Sequence, residues 1–324
     1  MLTKLSVTED ELTALVAPVG ELRSAVPLTG GMFASAYRIE LADGRQVVAK
    51  IVSADTARLL QYERGILATE AAIYRVAAGH VPVPTVLHED FSRTIVAGDA
   101  VVATFLSGTP WQTLTLSEEQ TATARTNLGK AMAAMHRITG EKFGYPAPES
   151  ELAAATWREA FTLMVEAVLS DAAHWNVSQP VDRVRAALAQ HGHLLDAVNR
   201  PALIHNDLWE GNIFVDPESL VIVGIIDTER ALWGDPLLDI AGSDQFGIGE
   251  VNPDLLAGNF AAGGVLATEL SSADGPTRLA LYRMYYALLL STEGTVRGYD
   301  PEGMAWFQTT SEANLESALV SLGQ

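Results

Sequence analysis

Residues 203–229 restrict the possible fold more than any other stretch of this 324-residue chain. The run opens apolar at Leu203-Ile204, turns polar through His205-Asn206-Asp207-Leu208-Trp209-Glu210-Gly211-Asn212, and becomes apolar again at Ile213-Phe214-Val215. A turn signal, Asp216-Pro217-Glu218-Ser219, separates it from the apolar run Leu220–Ile226, which ends on Asp227. Two short strands joined by a tight turn are expected here. A loop entering such a hairpin can place Asp207 and Asn212 on one surface, and the returning strand ends in a second carboxylate.

The surrounding half of the chain reads as helix. Ser117-Glu118-Glu119-Gln120 is a capping box opening a helix to about Ile138. Further helical periodicity covers roughly 152–169, 181–198, 236–246, 277–296 and 301–322. The N-terminal third differs. A capping box at Thr8 to Glu11 starts a short helix to Val16; strands follow over 35–41 and 46–52 around the turn Asp43-Gly44. A helix is expected over 62–78, then a second hairpin from 94–97 and 100–106 with Gly98-Asp99 as its turn. The expected organisation is therefore α+β and bilobal. Residues 1–106 form a small antiparallel sheet with one main helix, binding nucleotide, and 107–324 form a larger, mostly helical lobe with the acceptor site.

Composition narrows the functions available. With 21 basic and 40 acidic residues the formal charge is −19, which repels phosphate backbones and anionic lipid. Nucleic-acid and membrane partners are not expected on that ground, and a cationic ligand is favoured. No cysteine is present, so disulfides, thiolate catalysis and Cys-zinc sites are excluded. No apolar run approaches the ~18 residues of a membrane span. A soluble, cytoplasmic protein is the expectation.

The chemistry is carried by residue types in order. An Asp with His two positions before it and Asn five after it matches the H-x-D-x-x-x-x-N catalytic loop of kinases. There the carboxylate accepts a hydroxyl proton while the amide oxygen holds magnesium. Asp207 is the candidate base, Asn212 and Asp227 are the candidate metal ligands, and His205 is an orienter bonded to backbone. Lys50 stands in the apolar run Val47–Val52 and is one of four lysines. It falls where a kinase grips the α- and β-phosphates, with Glu70 as its orienting partner and Glu63 as runner-up. Gly30, Gly31 and Ser35 would cover the phosphates, and the segment Thr104 to Leu106 falls at a hinge facing adenine. A metallohydrolase built on His191, His193, His205 and Asp207 is the competing enzyme class, and a nucleotide-binding protein without turnover is a third.

Three segments resemble the aminoglycoside phosphotransferase and choline kinase group: His205–Asn212, Ile226-Asp227-Thr228-Glu229 and Trp233-Gly234-Asp235-Pro236-Leu237-Leu238-Asp239-Ile240-Ala241. The resemblance runs from the Gly30 turn to about Ala241. It implies a protein-kinase-like fold that uses ATP, or GTP in its place, with Mg²⁺ to phosphorylate a hydroxyl of a small molecule. Asn206 replaces the arginine of the protein-kinase loop and no Ala-Pro-Glu segment follows Asp227, so a protein substrate is not expected. Trp209 is similar to the fructosamine kinase branch, while Trp233-Gly234-Asp235-Pro236 is closer to antibiotic kinases. An aminoglycoside-like antibiotic or amino sugar is the favoured acceptor, with fructosamine, choline or a homoserine-type metabolite as alternatives. Glu210, Glu229 and Asp235 are candidates to receive a cationic amine; Trp157, Trp175 and Tyr285 are candidates to stack on a sugar. Asp239 is assigned to holding the catalytic loop.

Overall fold

The computed structural model describes residues 4–29, 34–298, 300, 302 and 304–324. The chain starts with helix α1 (Glu9–Val16), closed at its N-terminus by the capping box of Thr8 and Glu11. Strands β1 (Leu22–Leu28), β2 (Ser35–Leu41) and β3 (Gln46–Ser53) follow, then α2 (Ile66–Ala77), β4 (Val86–Asp90) and β5 (Gly98–Thr104). The strands form one antiparallel sheet in the order β1-β2-β3-β5-β4. Leu12, Leu15 and Val16 of α1 bury themselves against Ile39, Leu41, Val47, Ala49 and Ile51 of the sheet. Ile66, Leu67 and Ala71 of α2 pack with Val52 and Val101.

Two expectations change here. The helix over 62–78 is shorter, because Gly65 at φ +68° separates a single 3₁₀ turn at Gln61–Glu63 from α2. The second hairpin uses β4 and β5, and Gly98 lies in a strand instead of a turn. A Cβ at Gly98 would stand 2.2 Å from the Val52 carbonyl oxygen, so glycine serves close strand approach there.

The chain then crosses at residues 105–108 into strand β6 (Thr109–Pro110) and the capped helix α3 (Glu118–Met135). There follow β7 (Phe143–Gly144), β8 (Ala153–Ala154), α4 (Trp157–His174), α5 (Val181–His191), β9 (Ala202–Ile204), β10 (Ile213–Val215), β11 (Ile222–Ile225) and β12 (Leu232–Gly234). Helices α6 (Leu238–Ser243), α7 (Pro253–Ala261), α8 (Leu266–Leu270), α9 (Gly275–Arg297) and α10 (Ala305–Ser321) complete the fold. The β10–β11 hairpin is the one read from sequence, with Ile213 opposite Ile225. A four-stranded sheet, β8-β7-β12-β9, was not anticipated; its strands have only two or three residues each, too few to show alternation. Helices α7 and α8 were not anticipated either.

The helical core gathers Trp157, Phe161, Met164, Tyr282 and Tyr285. Trp157 and Tyr285 are fully buried, which removes both as stacking platforms for a sugar. Trp175 stacks under the Arg58 guanidinium. Among the described residues no helix is long and apolar enough to cross a membrane.

Candidate active site

The two regions meet at Lys50. Strand β3 projects its ammonium group onto three carboxylates: Glu70 Oε2 at 2.5 Å, Asp227 Oδ1 at 2.7 Å and Glu229 Oε2 at 2.9 Å. Each takes one of the three ammonium protons. Glu70 comes from α2, and the other two lie just beyond β11. Three acids thus share one ammonium group. The Glu70 carboxyl is pushed up to about 7, by burial above all and by Asp227 and Glu229 beside it, with Lys50 pulling against them. Despite its burial, the ammonium is held well above its ordinary range by Asp227, Glu229 and Glu70.

The catalytic-loop segment lies alongside. Asp207 Oδ2 accepts from Asn212 Nδ2 at 3.0 Å, and the same amide nitrogen donates to the Asp207 carbonyl at 2.9 Å. With its nitrogen spent in this way, Asn212 has its amide oxygen left without a protein donor among the described residues. The other Asp207 oxygen accepts from Gln245 Nε2 at 2.5 Å and lies 3.3 Å from the Tyr286 hydroxyl. Burial raises the Asp207 carboxyl, while Arg230 and His205 pull it down.

Two residues of this site adopt left-handed backbone, Asn206 at φ +61° and Asp227 at φ +58°. Such conformations cost about 1 kcal/mol or more outside glycine, least for Asn and Asp. Each is held by specific bonds. The Asn206 N–H donates to Asp239 Oδ1 at 2.7 Å, and its carbonyl accepts from the Tyr286 hydroxyl at 3.1 Å. The Asp227 N–H donates to the Tyr74 hydroxyl at 3.1 Å. Asp239 Oδ2 also contacts His136 Nε2 at 2.9 Å and accepts from the His205 N–H at 3.3 Å, so this carboxylate ties down the loop. His205 Nε2 meets the Ile226 carbonyl at 3.0 Å, linking the loop to the end of β11.

This is a strand lysine paired to a helix glutamate, facing an Asp–Asn loop and a strand-end Asp across two unlike regions. A family model described as the phosphotransferase enzyme family matches residues 24–282. The chain belongs to the phosphotransferase enzyme family. It is a small-molecule kinase of protein-kinase-like fold. Among solved structures it is similar to a thermostable mutant of the aminoglycoside phosphotransferase APH(4)-Ia in complex with AMP-PNP and hygromycin B. Identity there is 21%, TM-score 0.65, with 96% of this chain and 99% of that one covered. A candidate fructosamine-3-kinase from Thermobifida fusca matches at 21% identity and TM-score 0.66, covering 95% of this chain and 100% of that one. The APH(2'')-IIa complex with streptomycin and ATP matches at 14% identity and TM-score 0.61, covering 97% and 99%.

Within this phosphotransferase the structure gathers Lys50, Glu70, Asp207, Asn212 and Asp227, and separates other expected site residues from them. Glu63 is not at Lys50; it pairs with Arg297 in a buried network that also holds Glu293 and Arg230. Ser35 turns its hydroxyl to the Leu5 carbonyl at 2.8 Å, because the N-terminal segment packs beside β2. Gly30 and Gly31 lie outside the described residues. The Thr104 N–H is taken by the Thr85 carbonyl at 2.9 Å, whereas the Leu106 backbone has no protein partner among the described residues.

All three acceptor-site candidates are already paired with cations of the protein. Glu210 pairs with Arg125, which stacks on Trp111. Glu229 is on Lys50. Asp235 is buried against Arg278 at 2.7 Å and the Tyr282 hydroxyl at 2.6 Å. His191 contacts the Leu322 carbonyl at the end of α5. Among the described residues the one cluster with metal-ligand spacing is Glu70, Asp227 and Glu229, which includes none of the histidines of the metallohydrolase reading.

Proposed function

We propose that this phosphotransferase moves the γ-phosphoryl group of ATP, with Mg²⁺, onto a hydroxyl of a small cationic molecule, an aminoglycoside-like antibiotic or amino sugar first. The observation that carries this is the excess of carboxylate around Lys50, combined with an Asn212 amide oxygen that has no protein donor among the described residues. Three acids on one lysine leave an excess of acid over base, and the oxygen-only donor set of Asn212 and Asp227, with Glu229 adjacent, suits a hard divalent cation. Such an ion would supply charge neutralisation of the phosphates.

The chain's own residues then divide the work. Asp227, with Glu229 adjacent, would hold the metal ion, and Lys50, oriented by Glu70, would grip the α- and β-oxygens. The free backbone groups of Leu106 offer a donor and an acceptor to the base. Asp207, held by Asn212 and by the bonds that fix Asn206, orients the acceptor hydroxyl and takes its proton. A cationic acceptor is supported by the −19 formal charge and by Asp244 and Glu250, both exposed on the loop that leads Gln245 to Asp207. The similarity to an antibiotic kinase and to a candidate fructosamine-3-kinase points to hydroxyls on amine-bearing carbohydrates.

The test is ADP release with MgATP across aminoglycosides, amino sugars, fructosamines, choline and homoserine. Turnover is expected with an amine-bearing carbohydrate. MgATP binding with no turnover on any of these classes would overturn the acceptor assignment, and absence of MgATP binding would overturn the nucleotide assignment.

A further inference from the structure

Asp207 is half-buried, and both of its carboxylate oxygens accept from neighbouring side chains. A carboxylate oxygen has two lone-pair positions. Oδ2 faces Asn212, on the side of the proposed metal ligands, and Oδ1 faces the opposite way, toward α9 and the loop after α6. Gln245 Nε2 sits on Oδ1 at 2.5 Å, and the orientation of its amide is fixed by chemistry because an ionised carboxylate accepts only. Tyr286 approaches the same oxygen, but its single proton is shared with the Asn206 carbonyl. Gln245, with the shared Tyr286 hydroxyl farther off, occupies the side of Oδ1 through which an acceptor hydroxyl would bind.

They differ in freedom. Tyr286 is fully buried in α9. Gln245 is half-buried on a loop whose backbone is held further along. Asn314 Nδ2 donates to the Phe246 carbonyl at 3.0 Å, and Arg283 donates to the Ile248 carbonyl at 3.0 Å and the Gly249 carbonyl at 2.7 Å. The side chain of Gln245 can therefore rotate off Asp207 while its loop stays in place.

We propose that Gln245 is a positioning residue that occupies the acceptor's place on Asp207 and is displaced when the acceptor hydroxyl arrives. The inference rests on the function proposed above. A covered base is shielded from water as well as from the wrong alcohol. Hydrolysis by the covered enzyme is therefore slow: the water oxygen bonds to the γ-phosphorus and the bond from that phosphorus to the bridging oxygen breaks. ADP leaves with the electron pair, and the water proton passes to Asp207.

The experiment is MgATP hydrolysis with water as the only acceptor, measured beside MgATP affinity by calorimetry. Gln245→Ala and Gln245→Ser should each raise acceptor-free hydrolysis about tenfold, the worth of one hydrogen bond to a charged group, with affinity unchanged. Asp207→Asn placed on Gln245→Ala should abolish the gain, which shows that it passes through the carboxylate. A fold defect lowers rates, so an increase separates uncovering from damage. Equal or lower hydrolysis in both single variants at unchanged affinity overturns the assignment. If the wild-type protein fails to bind MgATP, the proposed function fails first and this inference falls with it.

Discussion

At the scale of single residues the site gives unlike partners to two carboxylates to which the sequence reading assigns different roles. Asp207 meets amide and hydroxyl donors; Asp227 meets an ammonium group. Asp207→Ala is expected to lower transfer by roughly 10²–10⁴-fold while nucleotide still binds, whereas Asp227→Ala should lose the magnesium dependence of nucleotide affinity. Titration of both variants with ATP, with and without Mg²⁺, checks the contrast; equal affinity losses would contradict it. Lys50, Glu70, Asp207, Asn212 and Asp227 were legible because phosphoryl transfer fixes their types and order along a chain. Glu210, Glu229 and Asp235 were chosen for nearness in sequence to the loop, which says nothing of the direction a side chain takes. Gln245 and Tyr286 gave no signal, since their contacts to Asp207 span 38 and 79 positions and neither residue type is distinctive.

At the scale of elements the catalytic loop is shaped by what packs behind it. Gly242 in α6 lies so close that an added Cβ would stand 2.7 Å from the Asn206 carbonyl carbon and 2.8 Å from its Cα. Gly242→Ala should therefore push the left-handed residue before Asp207. The expected cost is about 1–3 kcal/mol of stability, with transfer falling by more than that loss of folded protein explains. Chemical denaturation beside steady-state rates on the same samples separates the two effects. The capped helices α1 and α3 were legible because Thr8, Glu11, Ser117 and Gln120 announce their starts. Helix α7 was not, although Asn252 caps it and Pro253 begins it. It lies against α3 through Gly129 and Gly258, each of whose absent Cβ would meet a carbonyl oxygen at 2.0 Å. Backbone-to-backbone packing of that kind replaces the apolar stripe a sequence reader looks for.

At the scale of the whole molecule the sheet region and the helical region are joined by more than the crossing at residues 105–108. Arg58 donates to the Val296 carbonyl at 2.7 Å, and Arg297 pairs with Glu63 across the same junction. Binding that draws on both regions stabilises both. MgATP at about 100 times its dissociation constant should raise the unfolding free energy by about 2.7 kcal/mol, read as a rise in Tm. EDTA should remove most of that rise if the carboxylates around Lys50 need the metal. Between the regions, α2 is stitched to the strand end that carries Asp227. The Tyr74 hydroxyl accepts from Asp227, the Glu70 carbonyl from the Thr228 hydroxyl at 3.3 Å, and the Pro82 carbonyl from the Ile225 N–H at 2.8 Å. Protein kinases are governed by moving this helix until the lysine–glutamate pair breaks. Here outward travel of the helix would break its bonds to the strand end that carries Asp227 as well as the lysine–glutamate pair, so displacing it would disturb both halves of the site at once.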